Sequence, residues 1–194
     1  MKKIIVALIV LMGVVFLYGE EQPCDPKTFS ITIGAGVRSF SEELFKDVYD
    51  GTPMVYSFDA AVRVLRPLEI FAHTDILSID GKTTFTQEDT KLKITPFELG
   101  FRFLVMPKKS CKQKIFPYIG AGLGYYMIKE EFAAGSPMEP VDEKRLGFFG
   151  EGGVRLYAMT SIFVDLKFKY ITLKSENGTQ LGGLAYMGGI GFSF

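Results

Sequence analysis

Along most of this chain, apolar and polar residues take turns. In the final stretch Leu184, Tyr186, Gly188, Ile190, Phe192 and Phe194 share one parity, and Ala185, Met187, Gly189, Gly191 and Ser193 share the other. A period of two marks a β-strand whose two faces meet different surroundings. Here one face is apolar and aromatic, and the other is almost bare. The same rhythm predicts seven earlier strands. The first, 28–40, sets Phe29, Ile31, Ile33 and Val37 against Ser30, Thr32, Gly34, Gly36 and Arg38. The second, 54–65, sets Tyr56, Phe58, Val62 and Val64 against Ser57, Asp59 and Arg63. The third, about 69–79, opposes Ile70, Ala72, Thr74 and Ile76 to Glu69, Phe71, His73 and Asp75.

The fourth strand, about 91–106, opposes Phe97, Leu99, Phe101 and Phe103 to Glu98, Gly100 and Arg102. Leu92 and Ile94 fall on the other parity, so a bulge is expected at Pro96. The fifth, 117–128, is the cleanest: Ile119, Leu123, Tyr125 and Met127 alternate with Gly120, Gly122, Gly124 and Tyr126. The sixth, about 146–157, places Phe148, Val154 and Leu156 opposite Phe149, Glu151 and Arg155. The seventh, about 162–174, sets Ile162, Val164, Leu166, Phe168 and Tyr170 against Asp165, Lys167 and Lys169. Long and short connections alternate between these strands. The terminal strand leaves an open edge unless the first strand pairs with it. Strand number, strand length and connection pattern together predict an all-β fold, an eight-stranded antiparallel up-and-down transmembrane β-barrel.

Composition narrows the class without changing it. Lys+Arg and Asp+Glu are 22 each, so there is no basic field to attract nucleic acid. There are 21 Gly and 18 Phe, and no Trp. Residues 1–19 read as an export signal: Lys2 and Lys3, then an unbroken apolar run to Tyr18. That run is shorter than the about 20 residues a spanning helix needs. Residues 20–27 are then an N-terminal periplasmic segment, and 28–194 the barrel domain.

Alternation alone does not say which face looks outward. A soluble barrel would put its charges in water and its apolar residues inside. Here thirteen ionisable residues share one face: the Glu69 carboxylate and Arg38, Asp59, Arg63, His73, Asp75, Glu98, Arg102, Glu151, Arg155, Asp165, Lys167 and Lys169. The opposite face carries too many large side chains for an eight-strand interior, which is only just wide enough to be filled. The apolar face is therefore expected to meet lipid, because charges in hydrocarbon are costly. The charged face then forms a lumen network of structural ion pairs. Glu98 and Arg102 stand about 13 Å apart along one strand and do not pair easily. Arg102 and Glu151 are expected to meet across the glycines of the fifth strand.

The stretches PYIGAGLGYY, GFFGEGGVRLY and the terminal GIGFSF resemble the small eight-stranded barrels of Gram-negative bacteria, the membrane domain of outer membrane protein A and its relatives. The resemblance covers roughly 28–194. It implies insertion into outer-membrane lipid by the barrel-assembly machinery, which in that family reads a C-terminal Phe preceded by apolar residues at alternate positions. Tyr186, Ile190, Phe192 and Phe194 match that assembly signal; Gly188 departs from it. No peptidoglycan-binding domain is expected after the barrel.

Cys24 and Cys111 are the two cysteines. Both fall on the periplasmic side of such a barrel, an oxidising compartment, which makes them a candidate disulfide. His73 is the only histidine, and Asp75 shares its face. An Asp–His pair is a component of hydrolase sites, but no nucleophile motif accompanies it. GAGLG at 120–124 lies within a strand and opens no helix, as a nucleotide loop would. Neither a catalytic residue nor a cofactor or metal is expected. Two functions follow: a structural or surface-interaction protein with a narrow or plugged lumen, or a passive channel for small solutes or apolar compounds. The extracellular partner is not readable.

Overall fold

Each alternating run forms a strand, and the strands pair in chain order until the last meets the first. The structure, a computed structural model, describes residues 27–41, 48–49, 52–82, 89–105, 114–132, 140–175, 178 and 180–194. The strands are β1 (Phe29–Phe40), β2 (Met54–Leu65), β3 (Leu68–Lys82), β4 (Asp89–Leu104), β5 (Ile115–Phe132), β6 (Val141–Tyr157), β7 (Ile162–Thr172) and β8 (Gly183–Ser193). All neighbours are antiparallel, and the sheet closes as a barrel. The closing seam runs from Ser30 opposite Ser193 to Phe40 opposite Gly183. Phe29 and Phe194 exchange backbone hydrogen bonds of 3.0 and 2.9 Å below it. Closure leaves no open edge along the part that all eight strands share, the condition for strands to cross hydrocarbon.

The two faces resolve what alternation leaves open. Ile33, Ile119 and Phe148 point outward and are about two-thirds exposed, at 68%, 67% and 66%. Glu98, Arg102, Arg155 and Lys169 point inward and are fully buried. In water this would place an apolar surface of many side chains against solvent, far beyond what a soluble monomer exposes. In a bilayer the same surface costs nothing, and the barrel is transmembrane.

Two expectations need correction. No bulge occurs at Pro96. The β4–β5 register runs unbroken through Thr95 opposite Met127, Pro96 opposite Tyr126 and Phe97 opposite Tyr125. Proline brings no N–H to the β3 ladder, and the Thr74 hydroxyl donates to the Pro96 carbonyl at 2.8 Å instead. Leu92 and Ile94 keep the inward parity of Glu98 and are buried. The register shift that does exist lies between Arg63 and Leu65, beside the 66–67 turn.

The second correction concerns length. β3, β4, β5 and β6 have 15, 16, 18 and 17 residues, against 11 or 12 for the others. Their loop-side ends reverse polarity. Outward positions there are Ser78 and Asp80, Lys91 and Lys93, Lys129 and Glu131, Asp142 and Lys144, whereas Leu77, Ile79, Leu92, Ile94 and Ile128 are buried inside. Above the apolar belt these strands are a water-soluble sheet with a greasy concave face. The change of surroundings, not a change of register, breaks the pattern at Pro96.

Residues of the β1–β2 connection fill that concave face. A Cβ added at Gly81 would stand 2.5 Å from the Val48 carbonyl oxygen and 2.6 Å from the Tyr49 ring, so only glycine lets the connection lie flat there. The Tyr49 hydroxyl donates to the Glu130 carboxylate. Leu173 and Leu181, flanking the β7–β8 connection, complete the same buried cluster.

Candidate functional site

The charged residues sit where β5 offers no inward side chain. A Cβ at Gly120 would crowd Glu151 at 3.1 Å, and one at Gly122 would come 2.7 Å from the Phe149 ring. The bare row lets Glu151 and Phe149 of β6 and Arg102 and Phe71 of β4 and β3 reach the barrel axis.

Arg102 is the hub. Its Nε donates to Glu151 Oε1 at 2.7 Å, and its two terminal nitrogens fork onto Asp59 at 2.9 and 3.3 Å. Glu69 lies 3.9 Å away. The planar guanidinium is sandwiched between the Phe71 and Tyr118 rings, 4.2 and 4.7 Å from their centroids. A planar fork that pairs at its edges and stacks on both faces suits Arg and not Lys.

Around the hub the partners are shared. Lys169 donates to Asp75 and Glu98 at 2.7 and 2.8 Å. Tyr126 donates to the other Glu98 oxygen at 2.7 Å. Lys167 stands 3.5 Å from Asp59. Arg155 and Arg63 share Glu69 at 3.0 and 3.2 Å. Tyr118 donates to both Asp165 oxygens at 2.9 and 3.1 Å. Arg38 stands apart: it donates to the Leu181 carbonyl at 2.6 Å and lies over the Phe40 ring. The network within the lipid-facing belt thus carries Arg38, Arg63, Arg102, Arg155, Lys167 and Lys169 against Asp59, Glu69, Asp75, Glu98, Glu151 and Asp165, six of each sign, with Glu130, Glu143 and Arg145 inward above it.

His73 Nε2 lies 2.7 Å from Asp75 Oδ1, and Nδ1 lies 3.4 Å from both Lys167 Nζ and Asp59 Oδ2. Asp75 accepts the imidazole N–H, and the other nitrogen faces a cation and a carboxylate rather than a hydroxyl. His73, Asp75 and Glu98 also have the spacing to ligate an ion. The Lys169 ammonium, bonded to both carboxylates, occupies the place that ion would take.

Glu69, on the charged face by its parity, holds two arginines. Tyr118 was not singled out, although it shares parity with Gly120 and Gly122. Cys24, Cys111 and the export signal lie outside the described residues. Tyr186, Ile190, Phe192 and Phe194 are all outward on β8 or beyond its end, between 48% and 59% exposed.

Apolar clusters flank the network at both ends. On the loop side it is capped by the cluster of Tyr49, Leu77, Ile79, Leu92 and Ile94. On the turn side Leu104, Phe116, Tyr118, Tyr157 and Phe163 pack together against β4–β7, with Tyr157 against Phe116 and Phe163 at 5.4 and 5.1 Å between centroids, while Ser30, Thr32 and Ser193 face inward from β1 and β8.

A closed eight-strand antiparallel barrel with an apolar exterior and a charge-filled core is the fold of the small outer-membrane β-barrels. Among solved structures the chain is similar to Neisserial surface protein A, with 14% identity over 86% of this chain and 97% of that one and a TM-score of 0.64. It is similar also to the outer membrane protein OprG from Pseudomonas aeruginosa, with 13% identity, 89% and 99% coverage and a TM-score of 0.68. A third is Ail, the attachment invasion locus protein of Yersinia pestis, in complex with the heparin analogue sucrose octasulfate: 15% identity, 87% and 99% coverage, TM-score 0.59. No protein-family model and no curated protein matches the chain. At these identities the likeness is one of fold.

Proposed function

We propose that this chain is an integral protein of a Gram-negative outer membrane, exported by residues 1–19, whose lumen is a structural core and whose work is done at its outer rim. The observation that carries this reading is the stack of layers along the axis: apolar, charged, apolar. A conducting lumen needs a continuous polar path. Here most of the inner charges are paired with one another, and apolar clusters lie above and below them. Similar structures that bear the names of surface and attachment proteins support a role in contacts outside the cell. The assembly signal, Tyr186, Ile190, Phe192 and Phe194, and a Cys24–Cys111 disulfide belong to the same reading. Mass spectrometry that finds both thiols free would remove the disulfide.

Planar-bilayer recording tests the sealed lumen. Protein reconstituted from detergent is expected to give no stepwise conductance, while heat-dependent gel mobility confirms that it is folded. Unitary, salt-dependent steps from the folded protein would favour the passive-channel reading instead.

A further inference from the structure

The inside and the rim of this barrel treat charge in opposite ways. Inside, cations and carboxylates are matched. At the rim, the first charged outward residue above the apolar belt is a lysine on each of four adjacent strands or their ends: Lys93 on β4, Lys129 on β5, Lys144 on β6 and Lys174 just past β7. All four are exposed. Immediately toward the membrane lie Phe97, Tyr125, Met127, Leu146 and Phe148, most of them more than two-fifths exposed. Lys93 and Lys129 stand directly opposite one another in the β4–β5 ladder, a like-charge pairing that costs stability unless something neutralises it.

Among the described residues the neutralisation is partial. Lys129 reaches Asp142 at 3.4 Å. Asp80 is engaged by the next lysine outward, Lys91, at 3.8 Å. Among the described residues no carboxylate lies within ion-pair distance of Lys93, Lys144 or Lys174. A counter-charge from outside the chain would sit above the belt, at the depth of lipid headgroups. Lysine suits that place, because its flexible stem lies along apolar surface while the ammonium reaches to the interface. Anionic lipid attracts juxtamembrane lysines through the same field. A soluble polyanion would gain the charge but not the adjoining hydrocarbon surface.

We propose that Lys93, Lys129, Lys144 and Lys174 form a binding site for the phosphate of a membrane-lipid headgroup, its acyl chains lying on the β4–β6 belt. It rests on the membrane-barrel reading and is independent of whether the lumen conducts. In barrels of this kind the long connections face the exterior, so the lipid belongs to the outer leaflet.

The test is native mass spectrometry of the full-length folded barrel in detergent, titrated with phosphatidic acid or phosphatidylcholine. Wild type is expected to retain phosphatidic acid about tenfold better than phosphatidylcholine. The quadruple variant Lys93→Gln/Lys129→Gln/Lys144→Gln/Lys174→Gln is expected to lose that preference. A control carrying Lys27→Gln, Arg66→Gln and Lys114→Gln, at the opposite end of the barrel, is expected to keep it. Heat-dependent gel mobility reports folding of each variant, and single substitutions at Lys93 and Lys144 stand in if the quadruple variant does not fold. Equal retention of both lipids by wild type would overturn the proposal. So would equal loss in the control, or sucrose octasulfate binding as tightly as the lipid.

Discussion

Arg102 shows how a single side chain can hold a sheet in its curved form. It joins β4 to β2 through Asp59 and to β6 through Glu151, and it stacks on rings from β3 and β5. Removing one partner of such a group leaves a charge stranded in a medium that cannot solvate it. Arg102→Ala is expected to destabilise the folded barrel by about 3–5 kcal/mol, read as a lower urea midpoint in detergent. The Arg102→Met/Glu151→Leu pair should lose less than the two single changes summed, because it removes both charges together. Gly122 sets a steric limit of a different kind. A Cβ there would meet the Leu99 carbonyl oxygen at 2.2 Å, so Gly122→Val is expected to block refolding, with no heat-dependent band on a gel.

Tyr49 fastens the β1–β2 connection to β5. Burial, first, and its bond to Glu130 push the phenol above its ordinary value of 10.0. An acid whose folded value is raised stabilises the fold fully below the unfolded value, and that contribution is lost as pH rises above it. The expected outcome is that Tyr49→Phe, compared with wild type, removes no phenolate absorbance near pH 10 and removes one tyrosine's worth only at more alkaline pH. A normal titration near pH 10 would mean that Tyr49 does not lie against Glu130.

At the scale of the strand, the sequence was legible wherever surroundings stay constant along the element. β2 was delimited at 54–65 from alternation alone, because both of its faces keep one character throughout. The same holds for the face assignments of β7 and β8. It failed on β3 to β6, where one strand crosses from lipid into water. Periodicity reports which residues share a face; it does not report what that face touches. At Pro96 the face stays the same and its environment inverts, so Leu92 and Ile94 read as a register slip. The 79–91 and 129–144 stretches read as loops because strands that face water carry Lys, Asp and Glu. The network's members were legible as a set. Arg102 and Glu151 could be matched across the bare row of β5, but the other partners were not legible, because pairing across the lumen depends on barrel curvature, which no single strand encodes.

Gly81→Leu is expected to push the 48–49 segment off the inner face of β3 while leaving the membrane-spanning part folded. Limited proteolysis of the folded protein would then cut between β1 and β2 faster than in wild type, with heat-dependent mobility unchanged. An unaltered cleavage rate would show that the connection does not rest there.

At the scale of the whole molecule, the barrel is three materials in series. A lipid-wetted wall surrounds an electrostatic core, and a soluble sheet rises from part of its circumference. The core needs no water to be neutral, since its charges balance within the protein. That suits a molecule which must enter a bilayer without carrying uncompensated ions across it. Among the described residues, Lys93, Lys144 and Lys174 at the rim have no carboxylate within ion-pair distance.

The tall flank has one more consequence. β5 has seven residues more than β8, which amounts to about 15 Å of extra height after allowing for strand tilt. A cylinder cut level would look alike from every compass bearing in the membrane plane. This one has a prow. Among the described residues the β3–β6 side stands highest, so a direction within the membrane plane is built into the strand lengths.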